Sequence, residues 1–223
     1  MGRSPRITEP GLVYHVLNRR VMRLPLFQKN DDYLAFERVL AESLGRLDAP
    51  SLLAWCLMPN HWHLILWPRN DGELSDFTGW LTLTHTQRWH AHRHSIGSGH
   101  VYQGRFKSFP IQKDEHLLAV ARYVEMNPIR AKSLSVTRVD QWPWSSAGTA
   151  PGDVEKPALS LNAIFPNARR CLPRTLSAEQ TDSIRASIAR GSPFGEETWR
   201  KKAARSLGLE STLRPRGRPR KDT

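Results

Sequence analysis

Residues 51–67 read SLLAWCLMPNHWHLILW. Two apolar runs, Ser51–Leu57 and His61–Trp67, flank Met58-Pro59-Asn60, so the stretch reads as a hairpin of two strands. Within the second strand, alternation at period two sends His61 and His63 to one face and Trp62 to the other. The tryptophan can pack beneath the sheet while the two imidazoles converge above it.

Outward from this hairpin, Gly11–Val21 (GLVYHVLNRRV) alternates well enough for a strand. Asp31–Leu47 carries Tyr33, Leu34, Phe36, Val39, Leu40, Leu44 and Leu47 at helical spacing, with Asn30 or Asp31 as N-cap. Glu73–His94 reads as a long helix, His100–Ile111 as a fourth strand, and Asp114–Asn127 as a third helix stopped by Pro128. The order β-α-β-β-α-β predicts an α+β fold: a ferredoxin-like split βαβ unit, an antiparallel sheet with helices on one face. The segment Gln141–Ser146 (QWPWSS) is expected to anchor the chain after this unit through its two tryptophans.

Beyond it the composition changes. Residues 1–150 read as one domain and 151–176, rich in Pro, Ala, Asn and Gly, as a linker. Residues 177–209 read as a small helical region, with helices over Ser177–Arg190 and Glu196–Leu207, and 210–223 as a basic tail. The 223 residues hold 33 Lys+Arg against 21 Asp+Glu, a net charge of +12. Nine of those cations and two acidic residues fall between Trp199 and Thr223, the pattern of a polyanion-binding tail. With 39% apolar residues and a mean hydropathy of −0.52, the chain can bury one good core. No apolar run approaches the roughly 18 residues that span a bilayer. No signal-peptide pattern follows Met1, so a cytoplasmic, DNA-associated protein is expected. Cys56 and Cys171 fit no metal spacing and form no framework, which excludes a zinc finger and a disulfide scaffold.

The candidate chemistry joins the hairpin to the third helix. There Tyr123 and Asn127 are four residues apart on one face, beside the apolar stripe Leu117, Val120, Ala121 and Val124. A divalent cation held by His61, His63 and the amide oxygen of Asn127 can polarise a phosphodiester for in-line attack. The Tyr123 hydroxyl then serves as nucleophile and conserves the bond as a phosphotyrosine. Hard phosphate oxygens completing the sphere favour Mg²⁺ or Mn²⁺ over Zn²⁺. No small-molecule cofactor is expected. His90 and His94 are the competing pair at helical spacing and are read as solvated or phosphate-facing.

Three blocks carry a resemblance: Met58–His63 (MPNHWH), Tyr102–Ser108 (YQGRFKS) and Arg122–Pro128 (RYVEMNP). With Gly191–Gly195, Trp199 and the tail, they resemble the REP-associated tyrosine transposases of the single-tyrosine HUH superfamily, over about residues 8–148. The resemblance implies His61 and His63 as metal ligands, Tyr123 as nucleophile and Asn127 at the third-ligand position, where some relatives use Gln. It implies single-stranded DNA with repetitive extragenic palindromes, hairpins carrying a short 5′ guide. Cleavage beside the hairpin would leave a 5′-phosphotyrosine and a free 3′-hydroxyl, in a protein that works as a monomer.

DNA contacts are expected from Arg105 and Lys107, two apart on the fourth strand, and from Asn18, Arg19 and Arg20 at the end of the first. Trp55, Trp67, Trp80 and Trp89 are read first as core residues and second as stacking platforms, and His15 as a core histidine. Pro215-Arg216-Gly217-Arg218-Pro219 has the form of an AT-hook, with Arg216 and Arg218 along a minor groove. The alternatives are a non-catalytic binder of palindromic hairpins and an RNA-binding module. The last lacks the aromatic signature such modules carry on their strands.

Overall fold

Alternating side chains make β1 (Val13–Arg19), and the hairpin forms as β2 (Ser51–Met58) and β3 (His61–Trp67). Helices α1 (Asn30–Leu44) and α2 (Glu73–His92) fill the two crossovers, and β4 (Lys107–Ile111) completes the sheet. The computed structural model describes residues 8–150 and 156–214. Strand order is β2-β3-β1-β4, every neighbouring pair antiparallel, which is the ferredoxin-like arrangement.

The sheet separates two apolar cores. Tyr14, Val16, Trp62, Leu64 and Leu66 face α1 and α2, as the split unit requires. Val13, Cys56, Ile65, Phe109 and Ile111 face the other way, where α3 (Glu115–Glu125) covers them with Leu117, Val120, Ala121 and Val124. The unit's two helices therefore share one face and the third lies on the opposite one. Trp62 is fully buried, and its Nε1 donates to the Tyr102 hydroxyl at 3.1 Å. That hydroxyl lies 2.7 Å from His85 Nδ1 on α2, so the polar tip of a core tryptophan has a partner chain.

Both outer strands are covered. Trp144 O accepts from Leu57 N at 2.8 Å and Ser146 N donates to Trp55 O at 2.9 Å, which closes the β2 edge. Phe194 N donates to Pro110 O at 2.9 Å and Phe194 O accepts from Gln112 N at 3.0 Å, which closes the β4 edge. A sheet edge left open would offer unpaired backbone groups to other chains. The helices after α3 are α4 (Asn127–Arg130), α5 (Ala168–Cys171), α6 (Ala178–Arg190) and α7 (Glu197–Ser206). A capping box between Ser177 and Gln180 opens α6, and Gly191 at φ 71° ends it.

Three expectations need correction. The fourth strand spans Lys107–Ile111, not 100–111, because the residues before it form a loop that turns Tyr102 inward. Gly97, Gly99 and Gly104 hold that loop at positive φ. The third helix ends at Glu125 rather than Asn127, and Pro128 sits in the first turn of a new short helix, α4, where its missing N–H costs nothing. The stretch read as a linker is packed over its described part: Leu161, Ala168 and Leu172 are buried against the α3 core. The tail residues Arg216 and Arg218 lie outside the described residues. Among the described residues, no helix is long and apolar enough to cross a membrane.

Candidate active site

The first two residues of interest come from β3. Pairing places Leu17 opposite His63 and Arg19 opposite His61, so the site sits where β1 ends and β3 begins. His63 is 4% exposed, and its ring centroid lies 4.9 Å from that of His61. His63 Nδ1 is 2.8 Å from Nε2 of His15, a fully buried residue on β1. His61 Nδ1 is 2.5 Å from Asn60 Oδ1 in the turn. Burial, with the charge of Arg19 adding, pushes His61 down to about 3. Burial first, then His61, His15, Arg19 and Arg130, hold His63 well below the ordinary histidine value. Both rings are neutral at pH 7, the state in which an imidazole nitrogen can bind a cation. Nε2 of His63 is buried without a hydrogen-bond partner, and so is Nδ1 of His15. Leaving such an atom unpaired costs about 1–3 kcal/mol, which marks Nε2 of His63 as fit for a ligand. The donor set and this orphaned nitrogen fit a divalent cation.

Tyr123 reaches the same face from α3. It is 6% exposed, within the apolar cluster that docks on the sheet. Arg130, carried back by α4, lies over its ring, with Cζ 4.0 Å from the centroid. The same guanidinium donates to the Tyr123 carbonyl and, at 3.2 Å, to Asn127 Oδ1. Asn127 Nδ2 donates to Val124 O at 3.2 Å. The amide expected as third ligand therefore already has a protein partner on each polar atom, with one oxygen lone pair left. Arg19 stands opposite His61 in the β1–β3 register, and Arg130 stands over Tyr123. Neither His15 nor Arg130 was singled out for this site from sequence. Arg130 stands three residues after Asn127 and seven after Tyr123, helical spacing that the proline concealed.

The expected DNA-binding residues divide. Leu17, Asn18, Arg19, Gln103, Arg105 and Lys107 line a shallow pocket of about 180 Å³ beside the site. Arg105 belongs to the loop before β4, so it does not share a strand face with Lys107 as expected; the pocket joins them instead. Asn18 is 5% exposed, accepts from Arg19 N at 2.9 Å and reaches Gly104 O at 3.5 Å, which holds the loop. Arg20 turns away, stacks 4.5 Å from the Trp89 ring and donates to Pro25 O. Trp55 is core, whereas Trp67, Trp80 and Trp89 each have a cation over the ring within 5 Å. His90 uses both nitrogens on Ser95 Oγ and Gly99 O, so it makes no metal pair with His94. Among the described residues, Asp114, Glu115 and His116 could also share a cation, with ligand atoms within 4.8 Å of one another. Asp114, however, caps α3 through His116 N at 2.9 Å and holds His116 Nδ1 at 2.8 Å.

Comparison with known proteins bears on the fold and the family. A solved REP-associated tyrosine transposase bound to a REP hairpin has the same fold, with a TM-score of 0.51 and 21% identity. The match covers 79% of this chain and 100% of that one. A chain described as a candidate transposase from Deinococcus radiodurans R1 aligns with a TM-score of 0.39 and 15% identity, over 61% of this chain and 100% of that one. No curated protein matches. The family model described as "Transposase IS200 like" matches residues 8–127, from the approach to β1 through the tyrosine helix. That span exceeds half of the sequence and contains both the imidazole pair and Tyr123, and the chain belongs to the IS200-like transposase family.

Proposed function

We propose that this chain is a metal-dependent single-stranded DNA endonuclease and strand transferase acting at repetitive extragenic palindromes. What supports the reading is that α3 packs Tyr123 on the sheet face toward which His61 and His63 alternate, with Arg130 over the Tyr123 ring. The Tyr123 hydroxyl oxygen attacks the scissile phosphorus while the bond to the 3′-oxygen breaks. One fragment stays on Tyr123 as a 5′-phosphotyrosine; the other leaves with a 3′-hydroxyl, which takes up a proton as the phenol loses one. His61 and His63 would hold Mg²⁺ or Mn²⁺, with the free lone pair of Asn127 as a further donor. Such an ion, when bound, offsets charge on the phosphate and orients it. Arg130 holds the tyrosine ring in place, and Arg19, Arg105 and Lys107 bind the phosphates flanking the cut. Asn18 shapes the pocket from beneath.

The substrate assignment is supported by a protein of the same fold having been solved on a REP hairpin. Residues 1–150 form the catalytic part, 177–209 a helical addition, and 210–223 a basic tail in which Arg216 and Arg218 clamp the stem. The enzyme acts as a monomer on cytoplasmic DNA.

A labelled single-stranded hairpin mixed with the protein and Mg²⁺ is expected to give a covalent adduct that survives denaturation. Tyr123→Phe binds the hairpin and gives none; EDTA stops the reaction and Mn²⁺ restores it, except in His61→Ala. An undiminished adduct in Tyr123→Phe removes Tyr123 as nucleophile. Tight hairpin binding by the wild type with no adduct under either ion leaves a non-catalytic binder.

A further inference from the structure

His15 is fully buried on β1, two residues from Leu17, the β1 partner of His63, and no part of the proposed reaction uses it directly. Its Nε2 lies 2.8 Å from His63 Nδ1. Phe109 packs against its ring at a centroid distance of 4.8 Å, which fixes the plane of the imidazole. A neutral imidazole carries one N–H and one free lone pair, so a bond between two neutral rings holds a single shared hydrogen. Two arrangements satisfy the contact. If His15 donates, the proton of His63 sits on Nε2 and that nitrogen cannot bind a cation. If His63 donates from Nδ1, its Nε2 keeps a lone pair and the proton of His15 sits on Nδ1. The two atoms left over in either case, His63 Nε2 and His15 Nδ1, are the two imidazole nitrogens buried without partners.

We propose that His15 is a positioning residue: it accepts at Nε2 from His63 Nδ1–H and so fixes the tautomer and ring orientation that leave Nε2 of His63 free for a divalent cation. This rests on the metal-dependent reading above. The outer nitrogen of a metal-binding imidazole is ordinarily held by a carboxylate, a carbonyl or water. Here a second imidazole, sealed from solvent, takes that place.

The test uses the full chain with His15→Leu, which fills the space without an acceptor, and His15→Gln, whose amide oxygen can accept. Nitrogen-detected NMR of the metal-free protein should find the His63 proton on Nδ1 in the wild type and in His15→Gln. In His15→Leu the two tautomers should mix. Calorimetric titration with Mn²⁺ alone should give a dissociation constant raised about 10–100-fold in His15→Leu and within a few-fold of wild type in His15→Gln. Circular dichroism confirms that each variant is folded. A wild-type proton on Nε2 of His63 overturns the proposal, as does equal Mn²⁺ affinity in all three folded proteins or equal loss in both variants. Should wild type bind Mn²⁺ and form the hairpin adduct while His15→Leu binds equally well, only the role of His15 falls. Should wild type neither bind Mn²⁺ nor form an adduct, the metal-dependent reading falls with it.

Discussion

Arg130 makes three contacts that no other side chain could make together. It stacks on the Tyr123 ring, donates to the Tyr123 carbonyl and donates to Asn127 Oδ1. A flat guanidinium with several donors permits this; a lysine ammonium has the charge without the plane. Stacking of this kind contributes about 0.5–2 kcal/mol. If it holds the nucleophile in its attacking pose, Arg130→Lys should slow adduct formation by up to about tenfold, since about 1.36 kcal/mol is one decade in rate. Hairpin affinity, read by filter binding, should change little. Equal loss of affinity and rate would make Arg130 a DNA contact instead. Arg130 escaped the sequence reading because Pro128 is an ordinary helix stop, and only the backbone reveals a new helix starting around it.

At the scale of elements, the sheet depends on segments far from it in sequence. Trp144 is 3% exposed and stacks on Tyr33 of α1 at 4.9 Å, while its carbonyl pairs with β2. Truncating a buried tryptophan costs about 3–5 kcal/mol. Trp144→Ala should therefore lower the urea midpoint strongly. Leu83→Ala, at a side chain 59% exposed, should stay within about 0.5 kcal/mol of wild type. A mild effect at Trp144 would mean that the β2 edge closes without it. The anchoring role of QWPWSS was readable from its aromatics; the closure of β4 by Phe194 was not. That parallel bridge joins Phe194 to Ile111, distant in sequence, and nothing local in Gly191–Gly195 specifies its partner.

For the whole molecule, buried ionisable groups set the response to pH. Burial lowers His15 and His85 to about 3 and His63 well below 6.5. A depressed folded value contributes stability that is present above about 6.5 and declines as pH falls, because the unfolded chain binds the protons. Glu37 runs the other way: burial raises it to about 7 from 4.5, so its contribution is full below 4.5 and disappears as pH rises through 7. Burial also lowers His61 to about 3 and raises Glu125, so four imidazoles outweigh two carboxyls between these limits. The melting temperature of the metal-free protein should rise from about pH 5 to a maximum near pH 7, and a flat profile would show these histidines to be solvated. The basic tail acts at the same scale. Removing residues 215–223 leaves the bonds from Arg190 to Thr212 O and Arg214 O in place. Hairpin affinity should fall, and the log–log salt slope should flatten by about 0.9 for each stem phosphate that the tail no longer neutralises. An unchanged slope would mean that the tail does not touch DNA.

Local chemistry was enough to read the order of elements, the hairpin at 51–67, the two-faced placement of His61, Trp62 and His63, and Tyr123 on an amphipathic helix. Periodicity and turn residues act over a few positions, and a strand or helix face is fixed by them. Which residues meet across the sheet depended on register and on the docking of α3, both long-range choices made by packing. Those choices brought Arg130 onto Tyr123, set His15 against His63 and turned Arg20 from the site toward Trp89. Side chains from separate elements come together only when the whole apolar core is assembled, and no window of sequence encodes that geometry.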